Sequence, residues 1–494
     1  MSRILDDAKK MIKINSVTTN GNEELANFAV SLLEDRGLKA TMQQVTHSLD
    51  NVSKRQFNVL GVLGDPLVDK KTRKGLLLNT HLDTVSPGLA ENWTETGGDP
   101  FAATLKDGRI YGLGTADVKI DFLCKLAAVA KFREKKLKMP IYLVGSCGEE
   151  MGMFGTKYLI KSGALNPKYV VIGEPSELKV VYAHKCLSIF RVSLGYQQVE
   201  RDARGFNRRV DLHSMGKSAH SSYPHLGTNA IHQSLDFIRD ASENGFEIRF
   251  TQLDGGETIN KVPDRSMLQF YLTSHQFEDF KRFFREKVRA EGKERAFRAE
   301  LGGLGDTGVK FLPDALFPCV TELVQFFRGL AKKFEATQDP SYNPAFSTVN
   351  FGQLKQKPGV VEMHFDFRLL PDNGALEAVE KEIQEGMQAI SARYPSLNVA
   401  AVRERMNPGL NMTMEHELVK ICRESLEAAG IAAEFTKKAT STEAAQFFQA
   451  GYESVVFGPG LSMGNSHSPN EYNLVDQIEK ATLFYTKLIE RVCL

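Results

Sequence analysis

Only six cysteines occur in 494 residues, and no two stand close together. Cys124, Cys147, Cys186, Cys319, Cys422 and Cys493 are spread along the chain, which argues against a disulfide framework and against a structural zinc knot. A reducing cytoplasm is the expected setting. Neither sign of charge is in excess: 62 basic side chains face 61 acidic ones, so nothing points to nucleic acid or an anionic membrane as partner. No run is long and apolar enough to span a bilayer. The opening MSRILDDAKKMIKI reads as an amphipathic helix start without the apolar core of a signal peptide. Wholesale disorder is excluded too, since 42% of the residues are hydrophobic, and the length predicts two domains.

What is present begins with helix and strand in alternation. NEELANFAVSLLEDRG has helical apolar spacing and stops at Gly37; QFNVLGVLG and KGLLLNTHLD are short apolar strands. DVKIDFLCKLAAVAKFREKKL reads as a helix opened by Asp117. MPIYLVGSCGEE and PKYVVIGEP are dense apolar runs, as expected of strands buried in a helix-covered sheet. The tail repeats this style with MEHELVKICRESLEAAG, SVVFGPG and a closing helix LVDQIEKATLFYTKLIERV. The middle differs. CLSIFRVSLGYQQ and NRRVDLHSMGK alternate like strands with one wet face, and RFTQLDGG with RSMLQFYLTS forms a pair. A similar helix and strand order returns in STVNFGQL and VVEMHFDFRLL. The expected architecture is α/β: a helix-flanked, mostly parallel catalytic sheet from 1–183 and 406–494, with an inserted, enlarged α+β lid domain from 184–405. The lid should have two similar halves, joined near 300–320.

The chemistry-bearing residues sit where apolar runs end. His81 in NTHLDTV is followed two residues on by Asp83, which shares its face in an extended strand and can orient the imidazole. Gly112 and Gly114 permit a tight turn before Asp117, which reads as a helix N-cap and, compatibly, as a carboxylate able to bridge two cations. GSCGEE ends in Glu149 and Glu150, adjacent like charges that are costly unless solvated or offset by cations; the functional reading makes Glu150 a metal ligand and Glu149 a general base. Cys147 reads as a buried strand residue rather than a ligand. Glu174 in VIGEP and His467 in GNSHSPNE complete a set of donors for divalent cations. In the middle, His220 has small neighbours, Asn260 offers an amide donor, and Arg368 lies on a strand with Asp366 as a competing ion-pair partner.

In this order, and over nearly the whole chain, these motifs resemble the di-zinc M20 metallopeptidase and deacylase family, which includes acetylornithine deacetylase, succinyl-diaminopimelate desuccinylase, aminoacylase-1 and peptidase V-like dipeptidases. The resemblance implies that His81 and Glu174 hold one metal, Glu150 and His467 the other, and Asp117 bridges. It implies two divalent ions, Zn2+ first, with Co2+ or Mn2+ as alternatives. Asp83 would orient His81, Glu149 would be the base, His220 would stabilise the oxyanion, and Asn260 and Arg368 would bind substrate. Three departures stand out. Asn260 and Arg368 lie far apart in sequence, which implies a large lid insert; ATSTEAA carries Glu443 where the family has Asp; and a duplicated lid could supply within one chain the surface that simpler members take from a partner. A monomer is therefore favoured, with a homodimer left open.

The resulting expectation is metal-dependent hydrolysis of an amide in a small carboxylate-bearing substrate, with an N-acyl amino acid favoured over a dipeptide or peptide C-terminus. The rival from another class is an inactive scaffold on the same fold, which should have lost ligands or base. A dinucleotide-binding oxidoreductase is weaker, since GVLGDP lacks the full glycine spacing.

Overall fold

The computed structural model describes residues 1–47, 54–65, 72–197, 205–293, 295–304, 309–371 and 375–494. Pro66 of GVLGDP, Gln198 at the end of one expected strand and residues 305–308 of the expected join lie outside the described residues. The chain divides into two compact units, Met1–His184 with Asn407–Leu494, and Lys185–Met406.

A nine-stranded sheet forms the first unit. At its centre Ile141–Ser146, Leu76–His81, Tyr169–Gly173 and Glu453–Val456 lie side by side and parallel. Every residue of the first three is buried, as unbroken apolar runs require when helices cover both faces. The margins are largely antiparallel: Lys39–Val45 pairs with Gln56–Leu63, which pairs with Ile141–Ser146, and Val180–His184 pairs with Leu410–Asn411, while Phe435–Lys438 joins Val180–His184 in parallel. The expected mostly parallel sheet is thus mixed, and parallel where the motif-bearing strands lie. Helices Ser2–Lys13, Glu23–Asp35, Lys119–Val129, Glu417–Ala428 and Val475–Cys493 share one apolar core with it. Gly61, in the GVLGDP run, has a packing role: a Cβ there would lie 2.8 Å from the Leu33 side chain, so its absence lets the Glu23–Asp35 helix close on the strand.

The second unit is built on an eight-stranded sheet. Its order is Phe297–Leu304, Phe206–Met215, Arg265–Thr273, Arg249–Gly255, Thr348–Lys357, Val360–Leu369, Cys186–Gly195 and Asn398–Asn407. Pairings from the first of these through the seventh are antiparallel. The order reads alike from both edges. Strand, helix Ala230–Glu243, hairpin, helix Phe277–Ala290 and strand run in succession over 206–304. Strand Cys186–Gly195, helix Leu316–Phe334, a hairpin, helix Ala375–Arg393 and strand Asn398–Asn407 repeat that order around it. Alternation along Val360–Leu369 sends Phe365 and Phe367 into an aromatic core with Phe327 and Phe351 and leaves Asp366 and Arg368 on the other face.

Candidate metal centre

Four adjacent parallel strands present their C-terminal ends at one edge of the first sheet, the position where open α/β sheets bind ligands. His81 ends Leu76–His81; Glu149 and Glu150 follow Ile141–Ser146; Glu174 follows Tyr169–Gly173; the chain after Glu453–Val456 leads to His467. Asp117 arrives on the loop before helix Lys119–Val129, whose N-cap is Val118 without a side-chain bond. The helix-cap reading of Asp117 is therefore corrected: its carboxylate faces the two histidines. His81 Nε2 lies 3.1 Å from Asp117 Oδ1 and 4.0 Å from Glu174 Oε1. His467 Nε2 lies 3.0 Å from Glu150 Oε1 and 3.3 Å from Asp117 Oδ2. Donor atoms converge in three overlapping triplets: His81, Asp117 and Glu174; Asp117, Glu150 and His467; and His81, Glu149 and Glu150. Asp117 belongs to the first two, one oxygen towards each histidine.

Asp83 sits beneath this group, fully buried. The His81 Nδ1 contact to its backbone carbonyl is 3.1 Å, shorter than the 3.7 Å to its carboxylate. That carboxylate accepts hydrogen bonds from the Glu149 and Glu150 amides and from the Thr18 hydroxyl at 2.7 Å. The nearer Asp83 contact of His81 is thus with its main chain, while its side chain ties the Glu149–Glu150 turn.

The electrostatics describe an excess of negative charge. Burial, then repulsion from Asp117, pushes Glu174 up to about 8. Burial holds Glu149 well above the usual carboxylate range; His81 pulls the other way, and repulsion from Glu150, Glu174 and Glu443 reinforces the rise. Glu150 raises His467 to about 12, and Asp117 adds to this. Burial works against a charged His81, but Asp117 and its neighbours outweigh it. Asp117 is held far below its ordinary range because the two histidines outweigh its burial. Protons stand here where cations would relieve the same repulsion. Two imidazoles and four carboxylates form a donor set suited to a dinuclear divalent centre.

Several supporting residues carry no motif signal of their own. Glu471 Oε1 accepts from the Ala116 and Asp117 amides at 2.8 and 3.0 Å, joining the His467 loop to the Asp117 loop. His467 holds φ 59°, a costly conformation for a non-glycine residue. Asn465 staples that loop by bonds to the Leu461 and Tyr472 carbonyls and from the Tyr472 amide. A carboxylate two residues after SP in a metal-motif loop was the available clue. Glu443 is fully buried and accepts from Asn79, Ser146 and Thr156, all of the first unit. Cys147 is a buried thiol, raised well above its ordinary range by that burial.

The second unit brings together the segments that carry its three expected residues. An antiparallel bridge pairs His220 with Lys261, and the Ser221 amide donates to the Asn260 carbonyl at 3.0 Å. Ser221 Oγ donates to Asp366 Oδ2 at 2.6 Å, and Arg368 Nη2 lies 3.3 Å from the same hydroxyl. Arg368 makes a two-point pair with Asp366, at 2.8 and 3.0 Å. The ion pair weighed from the sequence is thus present, and it aligns the guanidinium next to the His220 segment.

The fold and the motif-bearing strand ends define a hydrolase architecture, and residues 77–491 match the model of Peptidase family M20/M25/M40. The chain belongs to this family. It is 25% identical to an acetylornithine deacetylase of Proteus mirabilis over 489 residues, covering 97% of this chain and 92% of that one. Among solved structures, it resembles an aminoacylhistidine dipeptidase from Vibrio alginolyticus with a TM-score of 0.67 at 17% identity, covering 99% and 96% of the two chains. An M20 family metallo-carboxypeptidase from Sulfolobus solfataricus gives a TM-score of 0.59 at 18% identity, with 99% of each chain covered.

Proposed function

We propose that this protein hydrolyses the amide bond of an N-acyl amino acid at a centre of two divalent cations, zinc being favoured on donor type. The observation that carries this reading is Asp117, shared by two ligand triplets at the ends of parallel strands. In it, His81 and Glu174 would hold one cation, Glu150 and His467 the other, and Asp117 would serve both. Bound cations would supply Lewis acidity and a water of lowered pKa. Glu149, held above the ordinary range by burial, takes the proton of the attacking water and returns it to the leaving amine. By motif, His220 donates to the developing oxyanion, Arg368 binds the substrate carboxylate, and Asn260 assists. The full-length likeness to an acetylornithine deacetylase favours an acyl group over an amino-terminal residue. Retention of every ligand and the base argues against an inactive scaffold.

The test is an amide-hydrolysis screen of N-acetyl and N-succinyl amino acids beside dipeptides, with metal analysis of the dialysed protein. Two ions per chain and turnover of N-acyl substrates are expected; turnover of dipeptides alone would replace the deacylase by a dipeptidase. Glu149→Gln should keep both ions and lose at least a hundredfold in kcat, on the order of a general base's contribution. Because Glu149 also joins His81 and Glu150 in a triplet, loss of an ion from the variant would mark it as a ligand instead.

A further inference from the structure

We propose that the buried pair Asp121–Lys125 is a positioning element for the metal centre, clamping the strand ends that carry His81 and Glu174. The inference rests on the ligand assignment above.

Asp121 and Lys125 stand one turn apart on helix Lys119–Val129, with exposures of 1% and 0%. Lys125 Nζ donates to the Asn79 carbonyl at 2.6 Å, to Thr80 Oγ1 at 2.9 Å and to Asp121 Oδ2 at 2.7 Å. Thr80, the neighbour of His81, donates its own hydroxyl to Asp121 Oδ2 at 2.8 Å. The pair also lies against Gly173, the neighbour of Glu174. A Cβ on that glycine would fall 1.9 Å from Asp121 Oδ2 and 2.7 Å from Lys125 Nζ, so only glycine admits the contact. Tyr485 OH, 2.6 Å from Asp121 Oδ1 and 2.8 Å from the Phe457 carbonyl, extends the hold to the chain after Glu453–Val456. Asn79 Nδ2 reaches Glu443, which accepts from Ser146 at the end of the remaining parallel strand. One polar layer therefore touches all four strands whose ends lead to ligands.

Stability alone does not account for such a layer. A buried ion pair commonly adds nothing over apolar residues of the same volume, because desolvation offsets its attraction. It does impose direction: three donors on one ammonium fix where the Asn79–Thr80 backbone lies, which an apolar contact would leave free to slide. Residues that orient metal ligands at one remove commonly contribute ten- to a hundredfold to metal affinity.

The experiment uses the double variant Asp121→Asn/Lys125→Met, which removes both charges at nearly constant volume and leaves no buried ion unpaired. The parent is measured first; two ions per chain held by the proposed ligands is the premise, and failure there refutes the ligand assignment rather than the clamp. In the variant, thermal melting of the metal-free chain should stay near the parent's. Zn2+ affinity, read by competition with a chelator, should fall at least tenfold, and the visible spectrum of the Co2+-loaded chain should change, since it reports ligand geometry. Parent-like melting with parent-like affinity and spectrum would overturn the proposal and leave the pair as packing. If the double variant does not fold, Thr80→Val cuts only the hydroxyl next to His81; unchanged Zn2+ affinity and Co2+ spectrum there would overturn it equally.

Discussion

Arg368 has a structural duty, its pair with Asp366, beside the substrate-binding role proposed for it. Its partner Asp366 is fully buried, so Arg368→Ala strands a carboxylate without its cation and should cost about 3–5 kcal/mol of stability, measurable by denaturant unfolding. Arg368→Lys keeps the charge and loses the two-point geometry, and is the better probe of substrate binding. It should raise KM for free carboxylates while sparing an esterified analogue; equal effects on both would remove Arg368 from the substrate. His232 offers a pH test. Burial, reinforced by Arg328, pushes its pKa down to about 3, and its Nδ1 is buried without a partner. Folded, the ring stays neutral; unfolded, it takes a proton below about 6.5. Its contribution is therefore complete above that value and is lost as pH falls towards 3, by at most about 1.4 kcal/mol per pH unit. His232→Gln should flatten the acid side of the melting-temperature profile; an unchanged slope would show that the ring titrates normally.

Among elements, those with strong periodicity were legible. The buried strands Leu76–His81, Ile141–Ser146 and Tyr169–Gly173 fall within the apolar runs that announce them. The edge strands Lys39–Val45 and Asn398–Asn407, with mostly half-buried or exposed residues, gave no such signal, because a strand paired on one side needs little apolar surface. Helix Ala230–Glu243 depends on a local device: Asn229 Oδ1 accepts from the Ile231 and His232 amides, while its Nδ2 donates to the Phe351 carbonyl. Asn229→Ala should cost about 1–2 kcal/mol, a lost cap with a lost tertiary bond; a melting temperature equal to the parent's would assign the helix start to packing alone.

On the scale of the whole molecule, the question is whether each chain works alone. The strand and helix order of Lys185–Met406 repeats, and the expectation is that such a duplication takes the place of a partner's lid. Sedimentation at assay concentration should give a monomer, and mixing His220→Ala with Glu149→Gln should restore no activity. Regained activity would mean that one subunit's histidine serves another's base. Among the described residues no helix is long and apolar enough to cross a membrane.

From the sequence alone came the candidate ligands, the strands that end in them, and the family resemblance, because a donor atom and an apolar period are properties of short segments. Residues that support the centre were decided by tertiary structure. Glu471, Thr18 and the Asp121–Lys125 pair act through atoms brought from distant segments, and apart from Glu471's place in the His467 loop nothing in their own neighbourhoods distinguishes them from ordinary polar residues of a loop or helix. The same holds for Asp83: its spacing predicts a shared face with His81, but only the folded chain turns its carboxylate to the Glu149 and Glu150 amides, since those donors come from another strand.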